Sequence, residues 1–73
     1  MSGQVSSFPQ RLKQLRARKG ISARTLGELC GLSKSSAARY ESGECSPSLA
    51  AAVAIADFFG VSLDYLAGRS DRP

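Results

Sequence analysis

The stretch Ser33-Lys34-Ser35-Ser36-Ala37-Ala38-Arg39-Tyr40-Glu41-Ser42 holds four serines, two cations and a single acid. Such a mixture suits contact with a polyanion. Serine hydroxyls bond phosphate oxygens or base edges, an alanine methyl meets the methyl of thymine, and arginine forks onto O6 and N7 of guanine. On a helix turning about 100° per residue, an inward Ala37 is flanked by Tyr40 and Ser33 on the same side. Ser35, Ala38, Arg39 and Ser42 then cluster on the opposite face, with Lys34 and Ser36 on its shoulders. The outward face carries no carboxylate, and its small side chains let a helix backbone come close to a groove floor. A segment made only for packing would show a broader apolar stripe.

The charge distribution points the same way. Net charge is +4, but between Arg11 and Arg39 there are eight basic residues (Arg11, Lys13, Arg16, Arg18, Lys19, Arg24, Lys34, Arg39) against one acid, Glu28. From Tyr40 onward two basic residues, Arg69 and Arg72, meet five acids: Glu41, Glu44, Asp57, Asp64 and Asp71. One cationic half and one mildly anionic half are expected of a nucleic-acid binder, although charge alone fits a solvated basic helix equally well.

Composition excludes other chemistries. A chain of 73 residues is one small domain, of a size that buries only about 60% of its unfolded surface, too little for an elaborate cleft. Without histidine, a glycine-rich phosphate loop or a spaced carboxylate pair, no catalytic machinery is expected. Cys30 and Cys45, the two cysteines, are too few for a disulfide scaffold or a zinc site. They read as reduced thiols in a cytoplasmic protein, Cys30 as a small core hydrophobe and Cys45 as a loop residue. Neither a cofactor, a metal nor a membrane span is expected.

Helical punctuation positions the site. MSGQVSS, residues 1–7, reads as a flexible N-terminal arm. Phe8, Leu12 and Leu15 recur at helical spacing, Pro9 falls in a first turn and Gly20 supplies a stop, giving a helix over 8–19. Ser22 caps a second helix over 23–30, with Leu26, Leu29 and Cys30 as its apolar edge. Ser33 caps a third to about Ser42, Ser48 a fourth to Phe59, and Ser62 a last short one before Gly68. No segment alternates as a strand does. The expected fold is all-α, five short helices around one core, with 69–73 as a tail or linker stub.

Across about residues 8–68 the chain resembles the lambda-repressor/Cro-like (Xre) helix-turn-helix domain. The residues that carry the likeness, in order and spacing, are Gly20-Ile21-Ser22, Leu26-Gly27-Glu28, Gly31-Leu32-Ser33, Arg39-Tyr40-Glu41-Ser42-Gly43, Pro47-Ser48 and Gly60-Val61-Ser62-Leu63-Asp64-Tyr65-Leu66. This resemblance implies a compact repressor-type domain whose second helix crosses the DNA backbone while the third, about 33–42, enters the major groove. It further implies base contacts from Lys34, Ser35, Ser36, Ala38 and Arg39, phosphate contacts from Ser22, Arg24 and Ser42, and a structural ion pair between Arg16 and Glu41. The chain departs from the family pattern at Ala23, where glutamine is common, at Ala37, where a branched aliphatic is usual, and at Glu44, in a loop that is often basic.

Two function classes remain open. One is a transcriptional regulator on a double-stranded DNA operator, of phage-repressor, controller or antitoxin type. The other is a helical protein-interaction module that keeps the fold. Because the fourth helix holds one charge, Asp57, between Leu49 and Gly60, a homodimer through Phe58 and Tyr65 is a further expectation.

Overall fold

The computed structural model describes residues 8–73; the arm expected over 1–7 lies outside them. Five helices follow in order, α1 (Phe8–Lys19), α2 (Ala23–Leu29), α3 (Ser36–Ser42), α4 (Leu49–Phe59) and α5 (Leu63–Leu66), with no strand among the described residues. Serine starts three of them by the same device. Ser22, Ser48 and Ser62 each turn a side-chain oxygen toward the backbone N–H three residues on, at 3.1 Å in every case. One of the four orphan amides of each helix start is thereby satisfied. Ser48→Ala is expected to lower stability by about 1 kcal/mol, roughly 4–8 °C in Tm for a domain of this size, read by thermal unfolding followed by circular dichroism.

The third helix starts later than its sequence suggests. Ser33 was expected to cap it, but the Ser33 hydroxyl bonds the hydroxyl of Ser36, and the Ser36 amide donates to the Ser33 carbonyl at 3.1 Å. This i to i+3 closure makes residues 33–35 a tight turn, and Ser35, at the cap position, makes no side-chain cap bond. Ser33 is exposed and does not flank Ala37 inside.

The core gathers around Leu12, Leu26, Ile55 and Leu66, all fully buried, with Leu15, Ala37, Tyr40, Ala56 and Tyr65 around them. Each helix gives only one or two of these residues, so no short element is stable by itself and packing holds all five. α3 packs on both α1 and α2, and α5 on α1 and α4. Ala37, the small residue on the inner side of α3, is fully buried, and the Phe8 and Tyr40 rings lie 6.0 Å apart.

Three side chains sit otherwise than expected. Leu29, placed on the apolar edge of α2, is exposed, because α2 ends there and the chain turns away. Arg11 is buried, its guanidinium 3.9 Å from the centre of the Tyr65 ring, so it belongs to the interior and not to the basic surface. Tyr65 is only 7% exposed beneath it. Burial leaves it little surface to offer a second copy, which speaks against the dimer contact expected of it. Phe58, half-buried, stands edge-on to Phe59 with ring centres 5.0 Å apart.

Candidate nucleic-acid interface

The candidate interface is the α2-turn-α3 unit, and a glycine sets its geometry. Gly27 is buried in α2 where the backbone of the turn crosses it; a Cβ added there would lie 2.6 Å from the Ser33 carbonyl oxygen. The Leu32 amide donates to the Gly27 carbonyl at 2.7 Å, tying the turn to the helix it follows. Gly31, at φ +75°, supplies the left-handed residue that turns the chain, a conformation open to glycine without steric cost. Gly27 stands in the Leu26-Gly27-Glu28 motif, but its contact with the turn is not evident from the sequence alone. A glycine inside an otherwise regular helix is the signal that marks it.

From the other side α3 is held by α1. Arg16 approaches Glu41 with both prongs of its guanidinium, Nε to Oε2 at 2.6 Å and Nη2 to Oε1 at 2.9 Å, while Nη1 donates to the Ile21 carbonyl at 2.9 Å. The Glu41 side chain is 8% exposed and that of Arg16 23%. Hydrogen bonding to Glu41 raises the Arg16 pKa above its ordinary value, against the opposing effect of burial. This is the strong, bidentate type of ion pair, and it fixes the C-terminal half of α3 to α1 at the loop that enters α2.

With Ala37 and Tyr40 buried, the free surface of α3 and the preceding turn presents Lys34, Ser35, Ala38, Arg39 and Ser42, all exposed, and Ser36, half-buried. None of these residues is an acid. Ser22 and Arg24 are exposed at the start of α2. Arg24 Nε lies 3.5 Å from Glu28 Oε2 on the same helix, an exposed pair worth about 0.3–0.5 kcal/mol and a small obstacle to a phosphate. Arg39 Nε stands 3.9 Å from Glu44 Oε2, so the acid of the α3–α4 loop reaches the edge of the free face. The Ser42 hydroxyl donates to the Arg39 carbonyl at 3.0 Å and accepts from the Glu44 amide at 3.3 Å. Donation from Ser42 to a phosphate requires that hydroxyl to rotate first.

Cys30 is half-buried against the core and burial pushes its thiol pKa up, which disfavours the reactive thiolate; Cys45 is exposed in the loop before Pro47.

Comparison with known proteins places this geometry among relatives. The family described as helix-turn-helix matches residues 12–66. The HTH-type transcriptional regulator AnsR of Bacillus subtilis (strain 168) is 44% identical over 62 residues, covering 85% of this chain and 53% of the relative. The chain thus spans about half the length of that regulator. Among solved structures, the restriction-modification controller protein C.AhdI from Aeromonas hydrophila is 36% identical, with a TM-score of 0.75 over 81% of this chain and 89% of the other. The P22 c2 repressor, solved in complex with a synthetic operator, superposes with a TM-score of 0.82 at 23% identity, covering 89% of this chain and 98% of the other. That last likeness is one of fold.

Proposed function

Because the chain belongs to the helix-turn-helix family, we propose that it is a sequence-specific regulator of transcription that binds double-stranded DNA, a binding protein and not an enzyme. The observation that carries this reading is the exposed, acid-free face of α3, held rigidly by the Gly27–Ser33 contact and by the Arg16–Glu41 pair. Rigid presentation matters because base readout needs side chains placed within hydrogen-bonding error of the groove.

α3 lies in the major groove, with Lys34, Ser35, Ser36, Ala38 and Arg39 toward base edges. Ser22, Arg24 and Ser42 face phosphates. Arg39 leaves Glu44 for a guanine, a better partner for its fork than a carboxylate at 3.9 Å. The protein acts in the cytoplasm, where the DNA of its bacterial relatives lies. Exposed Leu49 and Val53 on α4 and Leu63 on α5 are the apolar side chains left for a second copy on a two-fold operator.

Selection of bound sequences from a random duplex pool tests the reading. A defined consensus is expected, and its half-site symmetry reports the number of copies bound. On that site Arg39→Ala is expected to cost about 2 kcal/mol and relax the preference at one base pair, whereas Arg24→Ala weakens cognate and random duplexes alike. Arg24→Ala also makes the log-log salt dependence shallower by about 1. Equal losses on both duplexes for Arg39→Ala remove its base contact. No duplex binding at low salt leaves a helical protein-interaction module, for which exposed Leu29 and Leu49 supply apolar contacts.

A further inference from the structure

Away from α2 and α3, the last turn of α1, the end of α4 and the entry to α5 border an open recess of about 270 Å³. Leu15, Phe59, Val61 and Tyr65 supply apolar walls, and Arg18 and Lys19 are its two charged residues. Pro73 lines it as well, and no acidic side chain is among the lining residues. The volume falls just below the roughly 300–1,000 Å³ usual for small-molecule sites, and apolar walls with a few polar groups are what such sites show.

We propose that this recess binds a small organic carboxylate with an aromatic or branched apolar body. Arg18 and Lys19 meet the carboxylate, and Leu15, Phe59 and Val61 hold the body. Charge decides the class of ligand. The C-terminus of α1 contributes about half a negative charge, which opposes an anion, but two full cations outweigh it. The Lys19 ammonium stands 5.4 Å from the centre of the ring of Phe58, the neighbour of the wall residue Phe59. A neutral apolar molecule would fill the walls and leave Arg18 and Lys19 facing solvent. A phosphate or other fully hydrated anion would leave the walls uncovered. Only a ligand with both parts uses the whole recess.

Benzoate, with benzamide as its neutral counterpart of the same shape, is the probe. Two-dimensional amide NMR of the whole chain at low salt is expected to show saturable shifts at Leu15, Phe59 and Val61, with a Kd for benzoate of about 1 mM. Benzamide binds about fivefold more weakly, and the double variant Arg18→Gln/Lys19→Gln brings benzoate to the benzamide value. Both residues are exposed, so the variant keeps its fold, as an unchanged thermal transition verifies. Equal affinity for the two probes, benzoate binding untouched in the double variant, non-saturating shifts, or shifts centred on α3 each overturn the proposal. The measurement contains no duplex, so its failure leaves the DNA reading where it stands.

Discussion

Replacing Arg16 with alanine is expected to destabilise the domain by about 3 kcal/mol, lowering Tm by roughly 12–24 °C. The loss comes from Glu41 more than from Arg16. With the guanidinium gone, a carboxylate 8% exposed is left inside the fold without its two charge-assisted bonds, and the Ile21 carbonyl loses its donor as well. Removing one partner of a buried pair costs about 3–5 kcal/mol, and the partial exposure of Arg16 puts this pair at the lower end. Against a total of roughly 5–15 kcal/mol for a domain, that is a large fraction. The double variant Arg16→Ala/Glu41→Ala is expected to recover part of the loss, since no charge is then stranded, and a double-mutant cycle isolates the pair. Arg16→Lys should fall between, because an ammonium cannot bond both carboxylate oxygens in the plane. Thermal and urea unfolding of the parent, Arg16→Ala, Glu41→Ala, the double variant and Arg16→Lys checks this; an Arg16→Ala melt within a few degrees of the parent sinks it.

Gly27→Val is expected to have a comparable effect by a different route, at about 3 kcal/mol. An added Cβ meets the Ser33 carbonyl oxygen at 2.6 Å, and that atom is backbone, which cannot swing aside as a side-chain tip can. Gly27→Ala brings the same Cβ with a compensating gain of about 1 kcal/mol in helix propensity, so its net cost is smaller, about 1–2 kcal/mol. Gly31→Ala separates crowding from backbone strain. No atom lies within 4 Å of its added Cβ, and the cost there comes from φ +75° alone, about 1 kcal/mol. The Gly27 variants carry a second signature. Pushing the turn away from α2 tilts α3, so cognate duplex affinity should fall even where the fold survives, while Gly31→Ala at matched stability changes it less. Unfolding curves and titration with the selected duplex read the two effects separately. A Gly27→Val protein as stable as the parent removes the close approach from the account.

The sequence made the helical punctuation legible because caps and stops are local. Ser22, Ser48 and Ser62 bond amides three residues away, and such signals need no tertiary partner. Ser33 was misleading for the same local reason. Nothing within the segment tells that its hydroxyl will bond Ser36 and that its carbonyl will lie against Gly27, so α3 was expected three residues too early. Residue type misled for Arg11 and Tyr65. An arginine is ordinarily a surface residue, and only the meeting of α1 and α5 reveals that its guanidinium stacks over a buried ring.

What the sequence by itself determined is the set of helices and the residue types on one face of α3, because hydrophobic spacing at 3.6 residues per turn fixes what points out once Ala37 points in. The tertiary structure alone decided how closely α2 and the turn approach, which charges of the basic half are free and which are sequestered, and that Arg18 and Lys19 rim an apolar recess. Those are contacts between atoms far apart along the chain, and they depend on the simultaneous packing of five short helices rather than on any one of them.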